Sequence, residues 1–154
     1  MSAVVERTSS TLEQRLVLAQ VGDSTLAISA LWVSEITRLE STHILELPFY
    51  QAPFMGVMHH GGLVIPLVSA AQVLQQVQPN HRVKTTVIRL GEAAGTFNQV
   101  GIVVDHILGS VTRADVPAAT FQLVETLDPS PDEMMLLTQV SLSPEVWKPQ
   151  RWVT

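Results

Sequence analysis

The sequence predicts a mostly β protein, its strands arranged as two small barrels, with one or two short helices. Three observations predict it. Apolar runs of strand length recur between Gly and Pro turns, while helical periodicity is confined to two short stretches. Residues 53 to 68, PFMGVMHHGGLVIPLV, read as an antiparallel hairpin about Gly61-Gly62, two residues that take positive φ at little cost. Finally, LVLAQVGDSTLAISALWVSEI matches VIRLGEAAGTFNQVGIVVDHI in outline: a strand, a Gly-acid turn, a return strand, then a Val, an acid and an Ile. That echo implies two similarly built halves, and closing each into a barrel removes the exposed edges of so many short strands.

In chain order, residues 1–13 are polar with Ser and Thr in series and are expected to be a disordered tail, leaving 14–154 as a single domain of two barrel subdomains. Leu16 to Val21 form a strand, Gly22-Asp23-Ser24 a turn, and Leu26 to Ile28 the return. In SALWVSEITRL, Trp32, Val33, Ile36 and Leu39 recur at helical spacing behind a capping Ser29, so the expectation is a short helix over about 30–37. His43 to Leu47 reads as a strand stopped by Pro48. In the central hairpin the second run, Leu63 to Val68, is apolar almost throughout, which predicts burial on both faces. Pro66 within it removes a backbone donor and predicts an edge or a bulge there.

SAAQVLQQVQ supplies good helix formers and is stopped by Pro79-Asn80. Strands follow at Thr85 to Leu90, Val100 to Val104 and Ile107 to Val111, the first two joined by the long turn GEAAGTFN, read as mobile. Five prolines punctuate the last third, where Met134 to Val140 is the run that suits a strand.

Composition narrows the function. The net charge is −5 and no Lys/Arg cluster occurs, so the chain lacks the electrostatic footprint of a nucleic-acid or anionic-membrane binder. There is no cysteine, which excludes disulfides and thiolate chemistry. No apolar run reaches membrane-spanning length and the N-terminus lacks a signal-peptide pattern, so the reading is a soluble cytoplasmic protein without membrane insertion. With 46% apolar and 15% charged residues, some apolar surface is expected to meet a partner. Five histidines invite a metal site, but consecutive His59 and His60 point to opposite faces of a strand, and His43, His81 and His106 have no companion at ligand spacing; no metal and no cofactor are expected. Asp105 beside His106 is the closest acid and imidazole, and these too face apart on a strand; Asp105 reads as a turn residue. No nucleophile elbow or phosphate loop occurs, so an enzyme is not expected.

Three segments in order, LWVSEITR at 31–38, PFYQAPFMGVMHHGGLVIPL at 48–67 and VGIVVDHI at 100–107, resemble the CheW-like family of adaptor domains in bacterial chemosensory arrays. The resemblance implies two SH3-like five-stranded β-barrels. It also implies a non-enzymatic adaptor that couples a methyl-accepting chemoreceptor tip to the regulatory domain of a CheA-type histidine kinase. Its partner-binding residues would be Val33, Glu35, Gly56 and Met58. Beside that stands a plainer reading: Val33 as core, Glu35 as a solvated carboxylate with Arg38 nearby, Gly56 as the turn into a strand. The chain departs from the family at Gly61, where an arginine is usual, at Ser69, where an Asp is usual, and in its closing segment LSPEVWKPQRWVT. Such departures suggest a specialised array, for example one serving phototaxis or pilus motility. Trp147 and Trp152, with Lys148 and Arg151, form a possible contact patch or a tail packed on a barrel end. The alternative function is a small-molecule-binding or catalytic β-barrel with His59 or Asp105 in its pocket.

Overall fold

The computed structural model describes residues 15–48, 50, 54–74, 84–116, 121–123 and 134–136. The expected tail, the continuation of the helix past Leu74, the strand past Leu136 and the Trp147/Trp152 patch lie outside the described residues.

Among the described residues, ten strands make two five-stranded sheets. They are β1 (Arg15–Val21), β2 (Ser24–Ser29), β3 (Val33–Glu40), β4 (Phe54–His60), β5 (Leu63–Ser69), β6 (Lys84–Leu90), β7 (Gly101–Val104), β8 (His106–Thr112), β9 (Phe121–Leu123) and β10 (Met134–Leu136). The first sheet runs β8-β1-β2-β10-β9 and the second β3-β6-β7-β5-β4. The two orders are the same path with the halves exchanged. Each hairpin, β1-β2 or β6-β7, sends its next strand to the edge of the other sheet, so β3 pairs with β6 and β8 pairs with β1. The echo read in the sequence is thus written into the topology, with the Gly22 and Gly91 turns at corresponding places.

The core of the described residues has three parts, because β1, β2, β5, β6 and β7 all bury residues on both faces. Ala19, Val21, Leu26, Ile28, Ile88, Leu90, Ile102 and Val104 meet between the sheets. The opposite faces supply Leu16, Leu18 and Ala27 to the inside of the first sheet, and Met58, Ile65, Leu67, Val87 and Val103 to the inside of the second. Each sheet therefore carries its own apolar cluster on one face and packs its other face on the shared one.

The expected helix over 30–37 is not formed. A single 3₁₀ turn, Ala30–Trp32, leads directly into β3, whose exposure alternates strictly from Val33 to Glu40. Val, Ile and Thr in this stretch suit a strand, and pairing with β6 settles the matter. His43 to Leu47 contains only a bridge, Leu45 to Val57, after a 3₁₀ turn at Ser41–His43. The helix after β5, α1 (Ala70–Val73), is one turn among the described residues, capped by Ser69 Oγ, which accepts from the Gln72 amide at 3.3 Å. The Gly91-to-Asn98 turn is built as 3₁₀ turns at Glu92–Phe97, with Ala94 and Phe97 buried in the shared core.

The hairpin β4-β5 forms as expected. Its second strand is buried only in part: Ile65, Leu67 and Val68 are fully inside, but Leu63 and Val64 are 40% and 64% exposed. β5 is not the edge strand that Pro66 suggested, since it lies between β7 and β4; Pro66 is tolerated because it sits on the part of β5 that pairs with β4 but not yet with β7, whose pairing begins at Leu67. Neither sheet closes by a continuous ladder, since β3 and β4 remain the ends of the second; barrel closure is therefore not realised as strand pairing among the described residues. Those two ends nevertheless approach each other, at the Leu45–Val57 bridge and between Glu35 and His60.

Gly61 and Gly62 have φ of 56° and 77°, the pair of positive angles a two-residue type I′ turn requires, and no atom crowds either position. Gly61→Val should therefore cost more than about 1 kcal/mol in urea unfolding through backbone strain alone, whereas Gly61→Asn should cost less than that. In the same assay Ile65→Ala should cost about 2–5 kcal/mol and its exposed neighbour Val64→Ala under about 1.

Candidate partner-binding site

β3 carries a bulge between Val33 and Glu35, opposite Leu90 and Arg89. Its effect is to change which way the strand faces. Val33, opposite Leu90, packs on the shared core, while Glu35 stands opposite Arg89 on the face that continues from Thr37 and Leu39 over the second sheet's interior. On β4 and β5 the same alternation sets His60 one step beyond buried Met58 and Leu63 one step beyond buried Ile65. Glu35, Arg89, His60 and Leu63 thus ring the open end of the second sheet.

Glu35 is held from two sides. Its Oε2 accepts from Arg89 Nη2 at 3.3 Å, and its Oε1 lies 3.2 Å from His60 Nε2, which donates to it. The same Arg89 nitrogen reaches Ser34 Oγ at 3.4 Å. Arg89 is the most covered of the three, its side chain 21% exposed against 38% for Glu35 and 40% for His60. The expected neighbour, Arg38, is not the partner, because on a strand residues three apart face opposite ways. Gly61 indeed brings no cation, and the cations beside Glu35 are Arg89 and, when protonated, His60. Sequence reading missed Arg89 because nothing local ties β6 to β3.

A cavity of about 320 Å³ opens beside this cluster, lined by Ser34, Leu63, Arg89 and the turn residues Gly91, Glu92, Asn98 and Gln99. Gln99 has φ 69°, the positive angle that lets its amide donate to Leu90 O at 2.8 Å and close the β6-β7 turn.

The remaining expected contacts fall elsewhere. Met58 is 1% exposed and belongs to the interior cluster. Gly56 is buried with φ 143°, and a Cβ there would lie 2.3 Å from Leu45 O and 2.9 Å from Leu45 C. The missing side chain is what lets Leu45 bridge Val57 and draw the end of the sheet inward. Neither Asp105 nor His59 lines the cavity. Asp105 Oδ2 accepts from the Gly22 amide at 2.8 Å, tying β7-β8 to the first turn, and His59 is exposed on the outer face. Among the described residues no three His, Cys, Asp or Glu are grouped to hold a metal, and no helix is long and apolar enough to cross a membrane.

Gly56→Ala should lower stability by more than about 2 kcal/mol, since it combines a positive φ with a backbone clash, while Glu35→Gln should change it by less than about 1 because its ion pairs are partly solvated. Chemical denaturation of the two variants checks both; equal losses would contradict this division of roles.

Comparison with known proteins agrees with this architecture. The family match is to the CheW-like domain, over residues 15–119. No curated protein matches. Among solved structures, the scaffolding protein TtCheW from Thermoanaerobacter tengcongensis superposes with a TM-score of 0.54 at 14% identity, over 70% of this chain and 68% of that one, which is a likeness of fold. The matched span takes in β1 to β8, both hairpins and the Glu35 cluster, and the chain belongs to the CheW-like domain family of chemotaxis-type adaptor domains.

Proposed function

We propose that this chain is a non-enzymatic adaptor that couples a methyl-accepting chemoreceptor tip to the regulatory domain of a CheA-type histidine kinase in a chemotaxis-like array. The observation that carries the reading is the CheW-like match running unbroken through the strands that build the Glu35 cluster. In this reading the two sheets are SH3-like barrels of one domain spanning 14–154. The protein works in the cytoplasm, where kinase and receptor tips lie. Glu35 belongs to the docking side of β3, Val33 anchors the start of that strand on the shared core, and Gly56 and Met58 act from beneath, by fixing the shape of the surface.

The hairpin tip supports that assignment. Leu63 and Val64 expose apolar surface next to the charged ring, an arrangement of apolar contact and polar rim suited to protein docking. The small-molecule alternative has less behind it, because neither residue it named lines the cavity.

Titration of this chain against the purified regulatory domain of the kinase from the same genome tests the reading. The wild type should bind saturably, and Val64→Asp should weaken binding by about tenfold or more with little change in the urea midpoint. Absence of wild-type binding to both kinase domain and receptor tip would overturn the adaptor reading. Unchanged affinity of Val64→Asp would remove the hairpin tip from the interface.

A further inference from the structure

The two halves of the molecule provide an internal control on the Glu35 cluster. With Gly22 set against Gly91, Gln20 of β1 corresponds to Arg89 of β6, and His106 of β8 corresponds to Glu35 of β3. The pairing repeats the correspondence: His106 stands opposite Gln20 as Glu35 stands opposite Arg89. Among the described residues, this position in the first half is filled without an ion pair. Gln20 Nε2 turns back to donate to Gly22 O, and His106 is exposed. The sheet order is nevertheless the same. A charged pair here is therefore not what the fold requires.

The second half has three charged or titratable side chains converging at that position, drawn from three strands, with Arg89 the most deeply covered. Arg89 spends one nitrogen on two acceptors, Ser34 Oγ at the bulge and Glu35 Oε2 beyond it, so it fixes both the bulge and the direction of the carboxylate. His60 takes the other oxygen, so the carboxylate is held from β6 and from β4 while remaining 38% exposed.

We propose that Arg89, assisted by His60, is a positioning residue that holds the Glu35 carboxylate in a fixed orientation at the open end of the second sheet for docking to the kinase regulatory domain. The inference rests on the adaptor reading above and adds to it which residues act on the partner directly and which act through Glu35. Glu35 faces the partner; Arg89 does not touch it.

A double-mutant cycle on the dissociation constant for the kinase regulatory domain separates these roles, with urea unfolding of each variant as the control for fold. Glu35→Gln should weaken binding about tenfold and Arg89→Gln about threefold to tenfold, while Arg89→Gln in the Glu35→Gln background should add nothing, as expected when one residue acts through the other. Arg89→Lys should recover only part of the loss, because a point charge cannot span Ser34 and Glu35 as the planar guanidinium does. Additive losses would overturn the proposal by showing that Arg89 meets the partner itself. Wild-type binding with neither single variant affected would overturn it while leaving the adaptor reading standing, and a wild type that binds neither kinase domain nor receptor tip would remove both.

Discussion

Burial of both faces of β1, β2, β6 and β7 is the constraint on which the rest of the structure depends. Each of these strands gives one set of side chains to the apolar layer between the sheets and the alternate set to the inside of its own sheet. A strand so placed cannot slip by one residue without exchanging the two sets, which fixes register more firmly than one buried face does. The edge strands β3 and β8 inherit that register by pairing with β6 and β1. The orientation of Glu35 follows from it. The bulge at the start of β3 turns the carboxylate toward Arg89, and Arg89 faces that way because Val87, two residues earlier, is locked inside the second sheet.

The second sheet gathers its ends by means other than a ladder. Gly56 admits the Leu45 backbone where any side chain would collide, and Leu45 bridges Val57 there. At the opposite end His60 and Glu35 bring β4 and β3 together through side chains. The first contact is steric and allows no substitution, whereas the second is polar, partly solvated and adds little to stability. This explains how residues that resemble one family's partner-binding set divide into two kinds. Gly56 and Met58 shape the surface from within, and Glu35 is presented on it.

Local chemistry made much of the fold legible. Two adjacent glycines between apolar runs announced the central hairpin, Pro66 marked the half-open stretch of β5, and the repeated strand, Gly-acid turn and return strand foreshadowed the exchanged topology. The stretch 30–37 reads as helix because Trp32, Val33, Ile36 and Leu39 satisfy helical spacing, yet most of it is strand β3. In the structure the bulge breaks the phase, so that Val33 and Leu39 serve different parts of the core and Ile36 points outward, 44% exposed. A bulge leaves no unambiguous sign in a single sequence. The link between Glu35 and Arg89 was likewise invisible, since it exists only once β3 has crossed to the other sheet. Full burial of β5 was over-read from its composition; Leu63 and Val64 lie past the last inward layer, at the hairpin tip.

In the proposed adaptor the kinase docks at the open end of the second sheet rather than at the corresponding end of the first. Amide hydrogen exchange of the free chain and of its complex with the kinase regulatory domain measures this directly, because amides covered by a partner exchange more slowly. Added protection is expected at residues 34–36, 60–64 and 89–92, with β8 and the Gly22 turn unchanged. Protection confined to β8 and the Gly22 turn, with the Glu35 end exchanging as in the free protein, would contradict it.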